Sequence, residues 1–181
     1  MVTILLGTGF EEAEALVPAD LMRRAGLDVA LVGVDGARVT GAHGVTVQAD
    51  RSLEEIEEGQ VELLMLPGGL GGVEAIGASG AARELIGRVW SAGRYVAAIC
   101  AAPTLLASMG LLEGRRAVCY PGMEDQLEGA LPQPDAQVVV DGNLITGQAP
   151  GAAFPFALQL VETLKGPDAA AQVKRETHYR G

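Results

Sequence analysis

Short, nearly continuous apolar runs recur along this chain, and most give way to glycine or other small residues and then to a helical pattern. The runs at 2–6, 28–34, 62–66 and 95–99 are too short for buried helices. They also lack the polar alternation of a sheet wetted on one face, so they read as strands buried on both faces. Helical patterns fall at 11–25, closed by Gly26 and carrying Pro18 inside, and at 81–92. Others fall at 104–108, stopped by Gly110, and at 152–165 and 169–175. Strands alternating with helices predict an α/β sandwich of three layers around a mainly parallel sheet. Two hairpins are expected besides: one around Ala42-His43-Gly44, and one through Asp141-Gly142, a strong two-residue turn signal. Ser52 followed by Leu53, Glu54 and Glu55 has the form of a helix N-cap with an acidic first turn. A short strand is expected at 116–119, and 129–135 is the longest stretch without a pattern. No repeat, linker or low-complexity run divides residues 1–181, which predicts a single domain.

Charge and cysteine usage narrow the function classes. The net charge is −10, which argues against duplex nucleic acid and anionic membrane surfaces as partners. No apolar stretch is long and uncharged enough to cross a bilayer. The opening Met1-Val2-Thr3-Ile4-Leu5-Leu6 lacks a basic leader region and already looks like a strand, so a cytoplasmic location is expected. In such a reducing compartment Cys100 and Cys119 default to free thiols. With His43 and His178 the only histidines and no metal-ligand spacing, neither a metal nor another cofactor is expected.

Among these elements, Cys100 carries the most chemistry. It follows the apolar run at 95–99 and precedes Ala101-Ala102-Pro103, where Pro103 suits the first turn of a helix. A thiol on a strand-to-helix turn sits at the carboxyl edge of a parallel sheet, beside free helix N–H groups that favour an anion. Serine nucleophiles use the same geometry. Cys100 is therefore expected to be the more acidic thiol and Cys119 an ordinary one; the competing reading is a buried structural cysteine. Leu66-Pro67-Gly68-Gly69-Leu70-Gly71-Gly72 also ends a strand, and no lysine with serine or threonine follows to make a phosphate loop. Its glycines let backbone approach a substrate oxygen, with Gly69 and Ala101 N–H groups as an oxyanion hole, or else form a plain tight turn. Gly7-Thr8-Gly9 half resembles a dinucleotide fingerprint, but Glu11 and Glu12 would repel a pyrophosphate at that helix start. Glu14, past the first turn, meets Cys100 if it points toward the strand ends, and it would then have to be protonated to help a thiolate. Tyr120 follows Cys119 and has the reach to bring its hydroxyl to the same edge.

Taken together, these residues resemble the ThiJ/PfpI superfamily, in the branch of the Parkinson disease-associated deglycase and its bacterial relatives. The likeness runs almost end to end. Its specific pieces are Glu11-Glu12-Ala13-Glu14-Ala15 with Pro18, Met22-Arg23-Arg24-Ala25-Gly26, Leu66-Pro67-Gly68-Gly69, Ala98-Ile99-Cys100-Ala101-Ala102-Pro103 and Ala149-Pro150-Gly151. The resemblance implies a flavodoxin-like fold, a homodimer, Cys100 as the reactive cysteine and Glu14 as the protonated acid beside its sulfur. It also implies Gly69 and Ala101 as oxyanion donors. Three departures stand out. Tyr120 occupies the place where many members carry histidine. His43 stands where close relatives often carry arginine, in a hairpin near the site. Gln148 stands where an arginine is common.

Without an active-site histidine, protease and amidotransferase chemistry loses its proton shuttle. The resemblance then implies a cysteine-dependent, cofactor-free stress-defence protein that acts on reactive aldehydes or their protein adducts, as a glyoxalase or deglycase. The second expectation is a redox sensor or holdase chaperone that oxidises Cys100 without turnover. A third, thiamine-related metabolism, follows from the superfamily's name alone.

Overall fold

The computed structural model describes residues 1–181. The strands are β1 (Val2–Leu6), β2 (Val29–Gly33), β3 (Arg38–Thr40), β4 (Thr46–Gln48), β5 (Arg51–Ser52), β6 (Leu63–Leu66) and β7 (Tyr95–Ile99). They continue with β8 (Arg116–Ala117), β9 (Leu131–Pro132), β10 (Val138–Asp141) and β11 (Leu144–Gly147). The helices are α1 (Glu12–Arg24), α2 (Leu70–Ala78), α3 (Gly80–Ser91), α4 (Ala102–Ser108), α5 (Ala153–Lys165) and α6 (Pro167–Glu176). Seven strands form one sheet in the order β10-β11-β7-β6-β1-β2-β5. Every pairing in it is parallel except β10 with β11. No helix is long and apolar enough to cross a membrane.

Strand residues alternate between two apolar cores, which is why the runs needed no polar side. Leu5, Leu64, Leu66, Val96 and Ala98 face one core with Ile76 of α2, Ile86 of α3 and Leu106 of α4. Ile4, Leu6, Met65, Ala97 and Ile99 face the other with Met22 of α1, Phe156 of α5 and Val173 of α6. Phe156 is wholly buried; such a side chain contributes about 1.5–3 kcal/mol by leaving water. The result is the α/β sandwich with a mainly parallel sheet that the periodicity predicts. Helix α1 begins with acidic Glu12 and Glu14 and ends with basic Arg23 and Arg24, each placed to favour the helix dipole. Pro18 lies inside it, and Gly26 closes it at φ 72°.

Three local expectations need correction. The Ser52 segment makes a single 3-10 turn at Leu53–Glu55, not a longer helix, with the Glu55 carboxylate accepting the Ser52 N–H at 2.7 Å. The glycine-rich stretch after β6 does not stay a loop: α2 starts at Leu70. Glycine is a poor helix former, but a Cβ at Gly72 would stand 2.7 Å from the Phe10 Cα. Packing against the β1–α1 loop therefore demands the small residue that propensity counts against. The strand expected at 116–119 shortens to β8, and it pairs with β9 out of the stretch that carried no pattern.

The direction of strand succession reverses between β1 and β6. From β1 the sheet grows one way through β2 and β5, and from β6 the other way through β7 and β11. Open parallel sheets leave a crevice outside the strand ends at such a switch point. The turns after β1, β6 and β7 meet there.

Candidate active site

Cys100 directly follows β7 and has φ 66°, a left-handed conformation that only one other non-glycine residue of the chain adopts. For a residue with a Cβ this backbone is uncommon and costs on the order of 1 kcal/mol or more. Hydrogen bonds on both sides hold it: the Cys100 N–H donates to Gly147 O at 2.9 Å, and Tyr120 N–H donates to Cys100 O at 2.9 Å. Cross-links from β11 and from the segment after β8 thus define the elbow, and the side chain faces the crevice with 8% of the residue exposed.

Glu14 comes from the buried face of α1 and is wholly buried. Its Oε2 accepts the Gly68 N–H at 2.8 Å, while its Oε1 has no partner of hydrogen-bonding geometry. The remaining neighbour is the Cys100 thiol, with which the carboxyl interacts directly. Gly68 makes this possible. A Cβ there would overlap Glu14 Oε2 and stand 2.6 Å from Cys100 Cβ and 3.0 Å from Sγ. The N–H groups of Ala101 and Gly69 both approach the sulfur, and Gly69 reaches its position at φ 81°.

The two acids share a problem of burial. Burial raises Glu14 to about 7, against the opposing hydrogen bonds from Cys100 and from the Gly68 N–H. Burial likewise pushes Cys100 up to about 12, helped by the Glu14 charge and the thiol–carboxyl hydrogen bond, while the Ala101 and Gly69 N–H groups pull it down. Cys119 is pushed up to about 11 by burial and then by Glu124. The expected order of thiol acidity therefore does not hold while Glu14 is ionised. A proton on Glu14 reverses the argument, because the charge disappears and the carboxyl O–H becomes a donor to sulfur. Near neutral pH the thiol keeps its proton and the Glu14 carboxyl is close to half protonated; sulfur becomes a nucleophile in the form that has lost the thiol proton and kept the carboxyl's.

The cleft above the sulfur has a volume of about 670 Å³. Gly69, Cys100, Ala101 and Tyr120 line it as the motifs predicted. Tyr120 is 46% exposed, so it forms a wall open to solvent rather than part of a core. His43 is not brought into the cleft. It lies on the hairpin of β3 and β4, where its Nδ1 stands 3.0 Å from Glu12 Oε2 and 3.6 Å from Glu11 Oε2. The hydrogen bond with Glu12, followed by the charges of Glu11 and Glu12, raises its pKa. Glu12 also accepts the His43 N–H at 2.8 Å, so it ties the hairpin to α1. Burial alone would raise Glu12, but the hydrogen bonds from His43 and the Val45 N–H hold it below the usual carboxylate range. Glu11, Glu12 and His43 converge closely enough to hold a cation, but the Glu12 oxygens are already engaged within the protein. Gln148 turns away as well and donates to Pro134 O at 2.7 Å.

Sequence reasoning missed Gly68 as the hinge of the Glu14–Cys100 contact; its place as first glycine of a pair directly after a strand was the available signal. It also missed Glu11, Leu70, Pro121, Met123, Gln126 and Pro150 as lining residues. Only the meeting of four separate turns places them together. Cys119 lies with the other apolar core, on the opposite face of the sheet from Cys100. Both thiols are free.

The same arrangement has known counterparts. A family model described as the DJ-1/PfpI family matches residues 1–163. Protein dj-1beta of Drosophila melanogaster is 39% identical over 174 residues, covering 95% of this chain and 93% of that one. A protein of Pyrococcus abyssi named a deglycase is 35% identical over 165 residues, covering 91% of this chain and 99% of that one. The crystal structure of Drosophila melanogaster DJ-1beta superposes with a TM-score of 0.96 at 37% identity, covering 99% of this chain and 98% of that one.

Proposed function

The chain belongs to the DJ-1/PfpI family, and on that premise we propose that it is a cysteine-dependent, cofactor-free stress-defence protein acting on reactive aldehydes or their adducts with amines. The observation that carries this reading is the convergence on one sulfur of a strained elbow, a buried carboxyl raised to about 7 and two backbone N–H groups. The deglycase name of the Pyrococcus abyssi relative supports the same chemistry.

The reacting form is the one in which Glu14 holds a proton and Cys100 has lost its own. With the proton on Glu14, the Cys100 thiolate adds to the aldehyde carbon of methylglyoxal and a C–S bond forms. The carbonyl electron pair moves to oxygen, where Gly69 and Ala101 N–H groups stabilise it, each well-placed donor contributing about 3 kcal/mol. Glu14 delivers its proton to that oxygen to give the hemithioacetal. Its carboxylate then takes the hydrogen from the former aldehyde carbon as a proton and returns it to the adjacent carbon, while the hydroxyl proton passes from the first oxygen to the second. That shift oxidises the first carbon and reduces the second, leaving a lactoyl thioester. Water cleaves the thioester to lactate and restores the thiol. For an adduct, the amine leaves with the proton that would otherwise stay on oxygen. A carboxyl raised to about 7 is suited to both giving and taking a proton near neutral pH.

The test is lactate production from methylglyoxal without glutathione, by the wild-type chain and by Cys100→Ala. Turnover that depends on Cys100 supports the proposal, and no turnover from the wild type overturns it.

A second reading, a redox sensor or holdase, is favoured by one observation: no imidazole lines the cleft. Peroxide would oxidise Cys100 stepwise, and a protonated Glu14 would donate to the resulting sulfinate. Sulfinate formation at Cys100 without lactate production would support it. The family likeness also leads us to propose a homodimer, which light scattering checks against the 18.6 kDa chain mass.

A further inference from the structure

The cleft is charged in one sense only. Among its lining residues Glu11 has the one carboxylate, and no lysine, arginine or histidine joins it. The segments that supply the lining, 7–20, 66–79, 98–114, 119–130 and 145–163, contain no lysine or arginine at all. The segment 119–130 adds Glu124, Asp125 and Glu128. His43 is the histidine beside Glu11, outside the cleft, where it is committed to Glu12.

The rest of the lining is apolar or neutral. Leu70 is 71% exposed, and Tyr120, Met123 and Pro150 line the same cleft. A volume of about 670 Å³ falls in the range of clefts that take drug-sized ligands, about 300–1,000 Å³. A three-carbon dicarbonyl fills only a small part of it. The positive potential is confined to the sulfur, where Ala101 and Gly69 present their N–H groups. Negative charge is therefore welcome on the oxygen of the reacting carbon and unwelcome on the remainder of the molecule.

We infer that this cleft selects carbonyl compounds whose body is neutral or cationic and partly apolar. It turns away those bearing a carboxylate or phosphate, with Glu11 as the specificity-determining residue. The inference rests on the reading of Cys100 as the reactive group of this cleft. It names the substrate class for that group.

Charge selection is measurable without any aldehyde turnover. Cys100 in the wild-type chain is alkylated with iodoacetamide, iodoacetate and 2-bromoethylamine, which are neutral, anionic and cationic, and the rate at Cys100 is followed by peptide mass spectrometry. Ratios within each protein are compared between variants, so the intrinsic reactivity of each reagent cancels. Glu11→Gln and Glu11→Lys are the test variants. The Glu11 side chain makes no capping hydrogen bond to α1, so both keep the fold. The expected result is an iodoacetate-to-iodoacetamide ratio roughly 3- to 10-fold higher in Glu11→Gln, the effect of a unit charge a few ångströms away in a partly solvated cleft. It rises further in Glu11→Lys, while the bromoethylamine ratio falls in both. Glu84→Gln, on the exposed face of α3, leaves the ratios unchanged. Ratios that do not move in either Glu11 variant overturn the inference, whatever the lactate assay shows. A moving ratio in a protein that makes no lactate upholds it and sinks the reaction proposal instead.

Discussion

Replacing Glu14 with glutamine should make the protein more resistant to unfolding at pH 8 than at pH 4.5, each relative to wild type. Burial raises the Glu14 carboxyl from 4.5 to about 7. Below 4.5 it is protonated in both the folded and unfolded chains and costs nothing. Between 4.5 and 7 the folded chain keeps a proton that the unfolded chain releases, so stability falls as pH rises through that window. Above 7 both states are ionised, and the folded state carries the full cost of a buried carboxylate. The difference corresponds to about 3 kcal/mol. Glutamine has the same shape. Its amide oxygen can accept the Gly68 N–H that Oε2 accepts at 2.8 Å, and its NH₂ occupies the position of the unpartnered Oε1. The variant therefore loses the ionisation and little else. Urea unfolding of both proteins at the two pH values should show Glu14→Gln gaining about 3 kcal/mol on wild type between pH 4.5 and pH 8. Near 181 residues that is roughly 6–12 °C in Tm. Glu14→Leu tests the contact with sulfur in the same experiment. It removes the charge but supplies no donor, so thiolate absorbance should show Cys100 titrating higher in Glu14→Leu than in Glu14→Gln. A stability difference between wild type and Glu14→Gln that does not change with pH would refute the picture of a buried carboxyl beside Cys100.

Iodoacetamide should modify Cys100 well ahead of Cys119, because Cys100 lines the open cleft whereas Cys119 is 2% exposed and packed into the far core; peptide mapping that finds Cys119 first would contradict this. Gly68→Ala should cost about 1–3 kcal/mol in chemical unfolding and abolish the fast reaction of Cys100, since the new methyl overlaps Glu14 and crowds the sulfur. Tyr120→His restores an imidazole to the cleft wall and should raise lactate production, with the usual contribution of a proton shuttle, about 10²–10⁴-fold, as the ceiling. An unchanged rate in the folded variant would show that proton transfer does not limit the reaction.

The layered architecture was legible in the chain because burial on two faces imposes a local signature. Residues 95–99, and 2–6 apart from Thr3, are apolar at odd and even positions alike, and a strand between two cores requires that. The Asp141-Gly142 turn and the Gly26 stop were equally local, each set by a backbone angle that favours glycine. Cys100 and Pro103 announced an elbow for the same reason. Motifs led to Glu14, Gly69, Ala101 and Tyr120 as well, and all four lie around the sulfur.

What the sequence alone determined ends where separate turns meet. Helix α2 formed against its glycine content because the Phe10 backbone occupies the space a side chain would need. Strand β9 arose in a stretch with no pattern because β8 offered it a partner. His43 has the chemistry of a site residue, but the hairpin of β3 and β4 delivers it to Glu12 rather than into the cleft. Cys100 and Cys119 are divided by the sheet, so their sequence separation says nothing about pairing. The helix N-terminus beside Cys100 is a local feature and legible, whereas burial and the Glu14 charge, which push Cys100 up to about 12 while Glu14 is ionised, come from packing. Charge and desolvation act through space and do not follow the order of the chain. The tertiary structure alone therefore decided how the Glu14–Cys100 pair titrates and what charge the cleft presents.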